Sequence, residues 1–140
     1  MSSLNAIIYT RTRALWSNPR FDAFQEHRCR LRLKTVGVPH QDALVIRDPV
    51  TGPGSNFHGL RQMAALLTSG TIKTLVLPDL EHLRACRNLD PTLPQRIRSN
   101  GIRVVLAKGG EVVVDGRGQL SLPPRTPAAE AKRATQAQHQ

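Results

Sequence analysis

Five polar residues stand just beyond apolar runs, where a folded chain tends to gather its chemistry. Arg11 and Arg13 follow Ala6-Ile7-Ile8-Tyr9, Asp48 follows Ala43-Leu44-Val45-Ile46, and Glu81 and His82 follow Leu75-Val76-Leu77. Arginine grips phosphate oxygens in a bidentate fork. A carboxylate orients its neighbours, and an imidazole carries a proton near neutral pH. Together these types suit an anion, and a phosphoryl group in particular. Metal chemistry is poorly supplied. His82 and Cys86 are four apart and share a helical face, but two ligands do not make a site. His27, His40, His58 and His139 show no ligand spacing. Cys29 and Cys86 form no Cys-x-x-Cys pair and read as reduced packing residues. No metal and no cofactor is expected: Gly52-Pro53-Gly54 lacks the Gly-Lys-Ser/Thr ending of a phosphate loop. Gly109-Gly110 runs into a strand, and no dinucleotide fingerprint follows the first strand.

The elements that must position these residues are short and alternate in type. Ala6–Tyr9 reads as a buried strand. Asn18 and Pro19 can cap and open a helix that runs to about Val36 and stops at Gly37. Phe21, Cys29, Leu33 and Val36 fall on its inner face, widened by Phe24 and Leu31, although Arg28-x-Arg30-x-Arg32-x-Lys34 also suits a strand. Ala43–Ile46 is a second strand, followed by a turn-rich loop from Asp48 to Asn56. Leu60, Met63, Ala64 and Leu67 mark a helix at i, i+3, i+4, i+7. Leu75–Leu77 is a third strand, and helical stretches follow at Leu83–Leu89 and Pro94–Ser99. Ile102–Ala107 and Glu111–Asp115 are the fourth and fifth strands, with Asp115-Gly116 turning into Gln119–Leu122. The pattern predicts one three-layer α/β domain over residues 1–122. Its sheet is largely parallel and five-stranded, with helices on both faces and a C-terminal β-hairpin. Residues 123–140 read as a disordered basic tail.

Charge is the strongest compositional feature. Twenty basic residues, sixteen of them arginine, face ten acidic ones in 140 residues, a formal charge of +10. Such an excess suits DNA or another polyanion, though it is spread evenly along the chain and also fits an arginine-rich coding composition. No apolar run approaches the ~20 residues of a membrane span. The first residues lack the charge order of a secretory signal, so a cytoplasmic protein without a membrane partner is expected.

In order and spacing, residues 5–108 resemble the resolvase/invertase family of serine recombinases. Tyr9-Thr10-Arg11-Thr12-Arg13 is similar to the family's opening Tyr-x-Arg-x-Ser, and Gln25 sits where the first long helix commonly has glutamine. Asp48 follows the second strand as the family's acidic residue does. Gly59-Leu60 resembles the Arg-x-Gly-Leu segment, and Leu80-Glu81-His82-Leu83-Arg84-Ala85 resembles Leu-Asp-Arg-Leu-x-Arg. Gly101-Ile102-Arg103-Val104-Val105 matches the strand after the next helix. The resemblance implies a resolvase-catalytic-domain-like fold and a site for DNA phosphate.

It also implies that the cutting chemistry is lost. The family's nucleophilic serine falls on Arg13, which has no hydroxyl. Of the arginines that offset charge on the phosphoryl oxygens, Arg11 is kept. The others fall on Phe57, His82 and Ala85, and the neighbouring acid survives as Glu81. Thr10 or Thr12 could supply a substitute hydroxyl, with Arg13, Arg61 and Arg84 leaning in. Neither the family's long pairing helix nor its helix-turn-helix is evident. DNA contact would therefore be nonspecific and phosphate-mediated, through Arg11, Arg13, Arg61, His82, Arg84 and the tail residues Arg125, Lys132 and Arg133.

Three functions compete. The leading one is a non-catalytic recombinase-like accessory or regulatory protein, binding DNA weakly or associating with a recombinase or a second copy of itself. The second is a divergent active recombinase. The third is a small anion- or nucleotide-binding module built on Arg11, Arg13, His58 and His82. A leftover of a mobile element is the blander fourth.

Overall fold

The computed structural model describes residues 5–13, 19–50, 58–117 and 119–121, with backbone alone at 12–13, 19–22 and 49–50. In chain order the elements are β1 (Ala6–Arg13), α1 (Pro19–Thr35), β2 (Leu44–Val50), α2 (His58–Leu67) and β3 (Thr74–Leu77). There follow α3 (Leu80–Leu89), α4 (Leu93–Ser99), β4 (Arg103–Leu106), β5 (Glu111–Val114) and β6 (Leu120–Ser121). They form an α/β fold around one six-stranded mixed sheet of order β2-β1-β3-β4-β5-β6. The first four strands run parallel, β5 pairs antiparallel with β4, and β6 pairs antiparallel with β5. This corrects the expected five strands, because the terminal hairpin adds both its arms to the sheet edge. Asp115 forms its turn, accepting the amides of Arg117 and Gln119 at 2.8 Å each.

The direction of each step across the sheet decides where its helix lies. Parallel crossovers are right-handed. The chain steps from β1 outward to β2, then returns past β1 to β3, so α1 and α2 fall on opposite faces. The step from β3 to β4 continues the second direction, and α3 and α4 therefore join α2. Strand residues alternate to match. Ile7 and Tyr9 enter a large core with Ile46, Leu60, Met63, Leu75, Leu83 and Val104. Ala6 and Ile8 enter a smaller one with Cys29, Leu33, Val76 and Val105 under α1.

Several boundaries differ from the sequence reading, each for a local reason. β1 and β2 run further than expected, and Asp48 and Pro49 belong to β2 instead of a loop. β2 lies at the sheet edge, where a proline that donates no hydrogen bond is tolerated. Phe24 and Leu31 do not widen the inner face of α1: they are 56% and 48% exposed. At 100° per residue both point almost opposite to Cys29 and Leu33. α3 begins at Leu80 rather than Leu83, because Asp79 caps it, accepting the His82 amide at 3.0 Å. Gly37, at φ +80°, ends α1 as expected. Asn18, the Thr51–Asn56 loop and the 123–140 tail lie outside the described residues. Among the described residues no helix is long and apolar enough to cross a membrane.

Candidate functional site

The carboxyl ends of β1 and β2 lie side by side, with Tyr9 opposite Ile46 and Arg11 opposite Asp48. Alternation turns all four toward the α2–α4 side. Asp48 is 4% exposed, and three donors meet its carboxylate. The Tyr9 hydroxyl donates to Oδ2 at 2.7 Å, the Leu60 amide to Oδ2 at 2.9 Å and the Gly59 amide to Oδ1 at 3.1 Å. The two amides belong to the first turn of α2, which otherwise has no intrahelical partner for them. A carboxylate there also meets the positive end of the helix dipole. The approach is close enough to require glycine: a Cβ on residue 59 would stand 2.9 Å from Ile46 Cγ2 and 3.0 Å from Asp48 Cγ. Burial, the neighbouring Cys86 and the hydrogen bond to Asp48 hold the Tyr9 phenol protonated far above its ordinary range.

A second cluster abuts the first through Arg11. His82 Nδ1 lies 2.7 Å from Asp79 Oδ1, and His82 Nε2 lies 3.3 Å from the Arg11 carbonyl. Both ring nitrogens thus face oxygen acceptors, which holds the ring between the start of α3 and the end of β1. Burial alone would raise the Asp79 carboxyl. The His82 ring and the amides of His82 and Glu81 outweigh it, holding the carboxyl below its ordinary value. Behind them, burial pushes the Cys86 thiol up to about 12 against the opposing pull of the adjacent Arg11 guanidinium. The half-buried Arg11 therefore serves the interior as well as the edge.

The fold brings Arg11, Asp48 and His82 close to one another and disperses most of the rest. Glu81 and Arg84 are exposed on α3 and pair with each other at 3.1 Å. Ala85 sits on the same helix without a polar group to offer. Arg61 is exposed on the outer face of α2, lining a surface groove with Asp90 and Arg96. His58 is exposed and makes no hydrogen bond among the described residues. Thr10 is only 2% exposed and belongs to the face opposite Arg11, so it supplies no hydroxyl to this edge. Thr12 and Arg13 close β1 opposite Pro49 and Val50, and their side chains lie outside the described part. Phe57, Arg125, Lys132 and Arg133 also lie outside it.

Sequence reasoning missed Tyr9, Asp79 and Cys86 as parts of this network. Tyr9 read as the last residue of a buried strand, with no hint of its distant acceptor. Asp79 carried a usable signal, an acid three residues before His82 at a helix start. Among the described residues no group of three His, Cys, Asp or Glu side chains is placed to hold a metal. Compared with family models, curated proteins and solved structures, the chain has no match in any of the three.

Proposed function

We propose that this protein is a non-catalytic, recombinase-like module that holds DNA through backbone phosphates at the carboxyl edge of its parallel strands. The observation that carries this reading is the state of the buried carboxylate beside Arg11. Both oxygens of Asp48 accept hydrogen bonds from Tyr9 and the α2 amides inside the fold, so the carboxylate is spent chiefly on bracing the strand ends. In the recombinase-like alignment the nucleophile position is Arg13, on the strand that carries Arg11. An edge with arginines in place of a hydroxyl is suited to holding a phosphate and not to attacking it. The resolvase-like relationship, a cytoplasmic setting and a recombinase or second copy as partner belong to the same proposal. The +10 charge supports it.

A labelled random-sequence duplex titrated by fluorescence anisotropy tests this. Binding is expected at low salt and weakens steeply toward physiological salt, as phosphate neutralisation demands. Arg13→Glu lowers the salt slope by about 1. Arg11 is the poorer probe because it also packs beside Cys86. Absence of binding at low salt would remove the DNA reading. A covalent protein–DNA adduct on a denaturing gel would restore the divergent-recombinase reading that the burial of Thr10 opposes.

A further inference from the structure

On the α1 face, joined to the Arg11 edge through the Asp79–His82 pair, a cavity of about 190 Å³ opens between α1 and the carboxyl ends of β3 and β4. Phe24, Gln25 and Arg28 line it from α1, Pro78 and Asp79 from the β3–α3 connection, and Ala107 and Lys108 from the end of β4. The placement of Gln25 follows from helix pitch. It lies one turn before Cys29 and two before Leu33, on the stripe those residues bury under the sheet. Its Oε1 is enclosed and has no hydrogen-bond donor among the described residues. Buried acceptors are ordinarily paired, and this one belongs to a side chain that lines the cavity, where a turn of the amide would present it to an incoming donor.

The other groups describe what carries that donor. Phe24 is 56% exposed, with the Arg28 guanidinium 5.7 Å from its ring centre. An exposed aromatic ring and a guanidinium plane are both surfaces on which a nucleobase stacks. Arg28 and Lys108 are exposed cations at the rim. Asp79 is the one acid in the lining among the described residues, and its Oδ1 is already engaged by His82. A carboxylate there repels an anion from the inner wall while accepting an amino group. The ligand must therefore be flat, donate hydrogen bonds along one edge and carry its negative charge at the far end. The volume is below the roughly 300–1,000 Å³ that engulfs a drug-sized molecule, so one ring system enters and the anion stays outside.

We infer that this cavity is a nucleotide site, in which Gln25 reads the amino edge of adenine, Phe24 stacks the base, and Arg28 and Lys108 hold the phosphate. Glutamine meets adenine in a bidentate pair, its oxygen accepting from the exocyclic amino group and its nitrogen donating to a ring nitrogen. The nucleotide arrives either free or as an unpaired residue of a single strand. A base inside a duplex is stacked and paired, and cannot enter.

Isothermal titration of the full chain with adenosine monophosphate, adenosine, inorganic phosphate and a six-residue oligodeoxyadenylate tests the site. The monophosphate is expected to bind at least tenfold more tightly than adenosine or phosphate. Reversing both cations, Arg28→Glu with Lys108→Glu, removes that advantage and leaves adenosine within about twofold. Phe24→Ala weakens monophosphate and adenosine alike by about tenfold, the scale of one stacked base. A further titration with uridine monophosphate is expected to show weaker binding than adenosine monophosphate, and Gln25→Leu abolishes that preference. Phe24, Arg28 and Lys108 are exposed, so their variants keep the fold, as circular dichroism will verify. Tighter binding of the oligonucleotide, with the same sensitivity to all three variants, identifies the single strand as the source. Monophosphate binding no tighter than phosphate, or unmoved by Phe24→Ala and the charge reversal, overturns the inference. Duplex binding that is salt-dependent and indifferent to Phe24→Ala keeps this site separate from the DNA-holding edge.

Discussion

The two faces of the sheet handle buried polarity in opposite ways. Under α2, α3 and α4 the Asp48 carboxylate meets three donors, and every one of those bonds joins residues far apart in sequence. Under α1 the enclosed Gln25 oxygen meets none among the described residues, and α1 is the one described helix on its face. A satisfied polar network fixes the geometry around it. An unsatisfied one costs stability and persists where something other than stability holds it. The first face reads as structural bracing, the second as a place kept ready for a ligand.

Mutations can break or sharpen that contrast. The largest effect should come from Asp48→Ala, which orphans the Tyr9 hydroxyl and two α2 amides at once. A loss of about 3–5 kcal/mol in urea unfolding is expected from one charged acceptor and one helix cap. A loss below about 1 kcal/mol would mean that the brace is not one. Gly59→Ala tests the same joint by volume, since its methyl lands against Ile46 and Asp48. Overpacking of this kind costs about 1–3 kcal/mol. Tyr9→Phe removes a single donor and leaves Asp48 its two amides, for a cost of about 1–2 kcal/mol.

The opposite face should answer with the opposite sign. Gln25→Leu removes a buried amide oxygen that has no donor among the described residues and keeps a similar size, and is expected to be neutral or stabilising by up to about 1 kcal/mol. A clear destabilisation would show that Gln25 is satisfied after all. The smallest effect is a pH dependence carried by Asp79. Its folded carboxyl lies below the ordinary value of 3.8, so its contribution is present above that value and lost as the pH falls through the lower folded one. Asp79→Asn should flatten the decline of the urea midpoint below pH 4 relative to the wild-type chain. An unchanged slope would assign that decline to other carboxyls.

How much of this was legible in the sequence depended on distance along the chain. The α2 stripe of Leu60, Met63, Ala64 and Leu67 was plain, because a helix repeats within a few residues and all four are buried. The alternation of strands and helices gave the α/β class for the same reason. The role of Asp48 was hidden. Asp48-Pro49 carries the local signature of a turn, and only the position of β2 at the sheet edge lets that pair extend a strand. The partners of Asp48 lie 39 residues before it, and 11 and 12 after it. The outward turn of Phe24 and Leu31 was readable from helical angle alone, but apolar type argued for burial and misled. Gln25 entered the reading through its family-like position, and its enclosure required the fold.

The place of β1 has a consequence for the chain during its own synthesis. The strand occupies the middle of the parallel array, between β2 and β3, yet precedes both in sequence. Its apolar residues Ala6, Ile7, Ile8 and Tyr9, all fully buried in the finished fold, leave the ribosome with no strand to pair with. The second neighbour is complete only after Leu77, and at roughly 5–20 residues per second that delay lasts several seconds. Through that interval the future centre of the molecule is an unpaired, sticky segment. Keeping it from neighbouring chains falls to whatever meets the nascent polypeptide first, and the arginines that end the strand, repelling their like on other copies, serve there as gatekeepers long before they border a site.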